Sequence, residues 1–104
     1  MQIHFTFRKV DEKSKEKLEK CFYSSKLNRL TRLLNHADLE LAILDIRAEY
    51  FTKHNAFSVK AEMNIKKRHF MGEEASHDII KACDLALGRL ISQVRKVENI
   101  KHKK

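Results

Sequence analysis

With 104 residues and a hydrophobic fraction of 42%, the chain has material for one core and no second one, and it is too apolar to be disordered as a whole. Lys and Arg number 22 against 14 acids, a net charge of +8, which favours a polyanionic partner. No apolar run approaches the roughly 18 residues of a membrane span, the opening MQIHFTFRKV lacks the apolar stretch of a secretory signal, and Cys21 and Cys83 do not make a disulfide framework. The expectation is a soluble cytoplasmic protein with no membrane partner.

The first element is a half-buried strand. In IHFTF, Ile3, Phe5 and Phe7 alternate with His4 and Thr6. Asp11 then offers an N-cap and Glu12 suits a first helical turn, so a helix should run to about Leu34. Its opening, KVDEKSKEKLEK, carries five Lys against four acids and reads as a solvated face. Its apolar residues fall into two offset sets, Leu18/Cys21/Phe22 and Tyr23/Leu27/Leu30/Leu34. That offset, with Ser24 and Ser25 between, predicts curvature or a weakened first half. Asn35 is the residue expected to end the helix in a left-handed turn.

LELAILDIRAEYF reads as a second strand whose apolar phase changes partway, which predicts a β-bulge near Ile43 and Leu44 or burial on both faces. AFSVKAEMNI alternates cleanly, with Phe57, Val59, Ala61, Met63 and Ile65 inward, and KRHFMGEEA is a shorter, weaker fourth strand. From Ser76 or His77 the chain turns helical, with Ser76 as N-cap and Asp78 in the first turn. Ile80, Cys83, Leu87, Leu90, Ile91 and Val94 form its apolar stripe. The order is β-α-β-β-β-α, an α+β fold. It implies a right-handed crossover, then antiparallel hairpins, in a four-stranded mixed sheet with both helices on one face. Residues 1–100 form the single domain and residues 101–104 a basic tail.

Charge is concentrated on the helices. Residues 89–104 hold six cations, Arg89, Arg95, Lys96, Lys101, Lys103 and Lys104, against Glu98. On the first helix Lys26, Arg29 and Arg32 flank the Leu27/Leu30/Leu34 stripe. On the second, Lys81, Arg89, Arg95 and Lys96 lie opposite the apolar face, with Ser92 among them. Either stripe alone is an ordinary solvated face. Side by side, with few acids nearby, the two predict a platform that fixes several phosphates at once. Shape and phosphate recognition of folded RNA fits better than base stacking. Five of six Phe (5, 7, 22, 51 and 57) read as buried, leaving Phe70 and Tyr50 as stacking candidates.

Other chemistries find little support. Glu73, Glu74, Asp78 and Asp84 are the acids available for catalysis or a metal, and GEE before a helix complements its N-terminus. The six histidines show no paired ligand spacing, Cys21 and Cys83 read as small core residues, and Gly72 and Gly88 cannot build a phosphate loop. No catalytic residue, metal, cofactor or small-molecule substrate is therefore expected. The alternatives to a nucleic-acid module are a protein-interaction regulator, for example of transcription machinery, and a small RNA hydrolase.

Two stretches carry a family resemblance: KLNRLTRLLNH (26–36) and DIIKACDLALGRLISQVRK (78–96). The basic–Leu pattern of Lys26-Leu27, Arg29-Leu30 and Arg32 resembles that of the ribosome hibernation-promoting factors, also called ribosome-associated inhibitors or sigma-54 modulation proteins. So does the later run from Arg89 to Lys96, with Cys83 and Asp84 before it. Ile80 stands where that family usually has a tyrosine, and NIKKRHF replaces a glycine-containing turn. The length resembles the family's short form. The resemblance implies a monomer that binds rRNA of the small ribosomal subunit in the mRNA and tRNA channel and stops translation by occlusion. The implied rRNA contacts are Lys26, Arg29, Arg32, Lys81, Arg89, Arg95, Lys96 and Lys101.

Overall fold

In the computed structural model, which describes the backbone of residues 1–102 and the side chains of residues 1–97, the alternating opening segment is β1 (Gln2–Arg8). Asp11 caps the helix after it: its carboxylate accepts from the Ser14 N–H at 3.3 Å, and hydrogen bonding from Ser14, its side chain first and its backbone second, holds the Asp11 carboxyl below its usual range. α1 (Glu12–Cys21) then loosens into a π turn (Phe22–Lys26), where the Leu27 N–H reaches back to the Phe22 carbonyl. The Ser24 and Ser25 hydroxyls both donate to the Cys21 carbonyl. One extra residue in the turn rotates everything after it by about 100°. This resolves the two offset apolar sets: Leu18 and Phe22 are buried before the turn, Leu30 and Leu34 after it. A straight α-helix burying Leu18 and Phe22 would instead aim Arg29 at the core.

The next stretch departs from the sequence reading. α2 (Leu27–Thr31) stops short of Leu34. Asn35 is extended, with φ −72° and ψ 169°, and begins a helix where the left-handed stop was expected: its side-chain oxygen accepts from the Asp38 N–H at 2.8 Å, capping α3 (His36–Leu41). Leu39 and Leu41 are thus helical, β2 (Ile43–Phe51) starts after Ala42, and the expected bulge near Ile43 and Leu44 does not form. The phase change in LELAILDIRAEYF is a switch from helical to strand period at the capped start of a new element. Asp38, only 4% exposed, meets Arg68 at 2.7 Å and ties α3 to the start of the last strand.

β3 (Ala56–Ile65) buries Val59, Ala61, Met63 and Ile65 and half-buries Phe57, as its alternation predicts. β4 (Arg68–Ser76) is as long as β2, so it is not the weaker strand expected; it begins after a tight turn with Lys66 at φ 55°. Sheet order is β1-β2-β3-β4, with β1 parallel to β2 and the other pairs antiparallel. Phe70, opposite Met63 on the inner face, is buried, while Phe51 is exposed; both reverse the expectation, because register decides which face a strand aromatic joins.

α4 (Ile79–His102) covers β3 and β4. Its cap is Asp78, whose carboxylate accepts from the Ile80 N–H at 2.9 Å; Ser76 still belongs to β4. Ile79 is buried and Ile80 exposed, contrary to the predicted stripe, because i, i+4 spacing from Leu87 through Cys83 leads back to residue 79. Cys83, Leu87, Leu90, Ile91 and Val94 are buried as expected. Beneath α4 lies Gly72. A Cβ there would collide with the Ala86 carbonyl and stand 2.8 Å from the Leu90 nitrogen, so sheet and helix meet at backbone contact. α4 runs through Lys101 and His102; Lys103 and Lys104 lie outside the described residues.

Candidate nucleic-acid interface

The π turn and the α4 phase together decide where the basic residues go. α2 and the residue that ends it present Arg29 and Arg32 outward while Leu30 is buried, and α4 presents Lys81, Arg95 and Lys96 outward while Leu90, Ile91 and Val94 are buried. The two ridges adjoin. Lys26 forms an ion pair with Asp84 across the helices, and Arg29 shares a groove of about 850 Å³ with Gly88, Arg89, Ser92 and Lys96 of α4 and Glu74 of β4.

The platform is less free of acids than its sequence suggested. Lys26 is held by Asp84 with its ammonium largely covered, and Arg89 is held by Glu74. Both partners lie far along the chain or on another element, so neither pair could be read from local spacing. Partly exposed pairs of this kind are worth at most about 1 kcal/mol. Arg29, Arg32, Lys81, Arg95 and Lys96 are exposed and carry no ion pair among the described residues. The Lys101 side chain lies outside the described residues.

The open face of the sheet offers a contrast. There Arg8 meets Glu49 at 3.9 Å, and both Lys60 (3.4 Å) and His69 (3.0 Å) meet Glu62. The His69 ring, then Lys60, hold the Glu62 carboxyl below its usual value. Arg8 and Lys60 on that face are thus matched, while Arg47 beside Lys60 carries no ion pair among the described residues.

Three of the four candidate acids have partners, and Glu73 and Glu74 lie within β4, so GEE does not complement the N-terminus of α4 as expected. Glu74 and Asp84 hold the two cations above, Asp78 caps α4, and Glu73 lies opposite Lys60 in the sheet. Among the described residues no three His, Cys, Asp or Glu side chains form a metal-sized cluster, and no helix is long and apolar enough to cross a membrane. Cys83 is buried and Cys21 half-buried; burial, with Cys21 adding to it, pushes the Cys83 thiol up to about 12.

Two further features of α4 bear on the groove: the first could not be read from the sequence, and the second, a mid-helix glycine, could be read as a close approach of backbone or partner or as an unremarkable surface position. The Gln93 side-chain oxygen accepts from the Met71 N–H at 3.0 Å, which satisfies part of the free edge of β4. Gly88, in the same groove, has open space where its Cβ would be: nothing lies within 4 Å. A mid-helix glycine costs about 1 kcal/mol relative to alanine, and no packing inside the molecule requires it here.

Comparison with known proteins now decides the lineage. The family model described as Sigma 54 modulation protein / S30EA ribosomal protein matches residues 3–101. The chain belongs to this family. Two solved structures share its fold. A ribosomal subunit interface protein from Coxiella burnetii superimposes with a TM-score of 0.67 at 20% identity, over 95% of this chain and 99% of that one. The N-terminal domain of Protein Y from Thermus thermophilus gives 0.69 at 20% identity, over 93% and 99%. No curated protein sequence matches. The resemblance read from residues 26–36 and 78–96 is therefore borne out, and within this S30EA-family fold those two stretches are the adjoining ridges.

Proposed function

We propose that this chain binds the small ribosomal subunit, laying the cations of α2 and α4 on rRNA where mRNA and tRNA pass. It then silences translation by occupying that channel, as a cytoplasmic monomer with no chemical step. Family membership, and a fold shared with a protein described as a ribosomal subunit interface protein, support the ribosomal partner. The observation that carries the reading is the asymmetry of charge. Five cations, Arg29, Arg32, Lys81, Arg95 and Lys96, stand unpaired among the described residues on the helix side, whereas on the open sheet face Arg8 and Lys60 are matched by carboxylates and Arg47 alone of the three is not. Unpaired cations release phosphate counterions on binding; cations already held by carboxylates gain less. In this reading Lys26 and Arg89, anchored by Asp84 and Glu74, set the spacing of the platform and reach rRNA at its edges.

If about five phosphates are engaged, the salt slope should be near −4, and affinity should fall about 250-fold between 50 and 200 mM salt. Reversing Arg95 and Lys96 to Glu should abolish co-sedimentation with small subunits while leaving the melting temperature unchanged, since both side chains are exposed. Retained binding would move the interface elsewhere. Salt-independent ribosome association beside a tight protein partner would favour a regulator of transcription machinery.

A further inference from the structure

Gly72 and Gly88 sit on opposite sides of α4, and only one has a reason within the molecule. At Gly72 a side chain would strike the backbone of the helix. At Gly88 a Cβ would enter open space, in the middle of a helix that otherwise has neither Gly nor Pro between Ile79 and His102. The bare position faces the groove lined by Arg29, Arg89, Ser92 and Lys96, whose walls also carry Glu73, Glu74 and Asp84. Glu74 and Asp84 pair with Arg89 and Lys26, so Arg29 and Lys96 are the groove's cations without an ion pair among the described residues. Because a helical side chain covers the turn before it, its absence uncovers backbone over residues 84–87.

We infer that Gly88 is the point where an RNA ribose–phosphate strand comes against the backbone of α4, with phosphates held by Arg29 and Lys96. This rests on the ribosomal reading and sharpens it. The minor groove of A-form RNA is wide, shallow and lined with 2′-hydroxyls, so a helix surface lacking one side chain can approach the sugars closely. A 2′-hydroxyl can donate to a carbonyl of the uncovered turn, a contact that DNA cannot supply.

The test compares wild type, Gly88→Ala and Gly88→Leu for binding to purified small subunits at one salt concentration, with melting temperatures alongside. Both variants should fold, and the alanine should raise the melting temperature by a few degrees. Affinity should drop about tenfold for alanine and about a hundredfold for leucine, as expected for forcing extra volume into a close contact. The salt slope should stay unchanged, because no cation is lost. Wild-type affinity in Gly88→Leu overturns the inference, and does so alone if reversing Arg95 and Lys96 still abolishes binding. If wild type itself fails to bind small subunits, the ribosomal reading falls and takes this contact with it.

Discussion

α4 is one uninterrupted helix seated on the sheet at backbone contact over Gly72, whereas the helical stretch from Glu12 to Leu41 is jointed and seats on side chains. The joints are the π turn at Phe22–Lys26 and the break before α3. Leu18, Phe22 and Leu30 supply its buried contacts. The difference lies in how each absorbs error. A helix held by side chains can take an extra residue and rotate; a helix held by its backbone against a glycine cannot move without losing the contact. Both end with cations outward, but by different routes: α4 through a continuous period, α2 through a rotation that turns Arg29 away from the core.

The contrast breaks most severely at Gly72. Gly72→Ala places a methyl against the Ala86 carbonyl and the Leu90 nitrogen, and urea unfolding should lose about 3 kcal/mol, at the upper end for overpacking. A loss well under ~1 kcal/mol would mean that sheet and helix are not in backbone contact. On the jointed side, deleting Ser25 should leave Leu18, Phe22, Leu27, Leu30 and Leu34 on one α-helical stripe. The variant should gain about 1 kcal/mol and show more helix by circular dichroism, as a π turn is replaced by ordinary i→i−4 bonds. Destabilisation would refute the account of the offset sets. Asn35→Ala removes the cap of α3 and should cost about 1 kcal/mol in the same assay, an effect that adds to that of Gly88→Ala without coupling to it. The smallest effect is chemical. At pH 8 a thiol reagent should modify half-buried Cys21 first, and Cys83, whose thiol burial pushes up to about 12, only on unfolding. Equal rates at both cysteines would show that α4 lifts from the core in the native state.

Much of this was legible locally. The alternation in β1 and β3, the Asp11 cap and the α4 stripe from Cys83 to Val94 were read from period and cap chemistry, because those signals sit within a few residues of what they specify. Misreadings occurred where two signals competed. Leu39, Leu41, Ile43 and Leu44 form an apolar run that suits helix or strand, and the Asn35 side chain settled it by capping. Ser76 and Asp78 were both capping residues, and the length of β4 chose between them.

The sequence by itself determined the order of the four strands and of the two main helical regions, though not α3, together with the single core and the excess of cations on two helical stretches, since periodicity and composition are local and additive. Tertiary structure alone decided which cations stay free. Lys26 found Asp84 and Arg89 found Glu74 only when α2, α4 and β4 were packed together, whereas Arg29, Arg95 and Lys96 were left facing outward. It also separated the two glycines. One is required by a backbone contact between residues 72 and 86 and the other is open to solvent, because distance in space, which no window along the chain contains, sets what a missing side chain is worth.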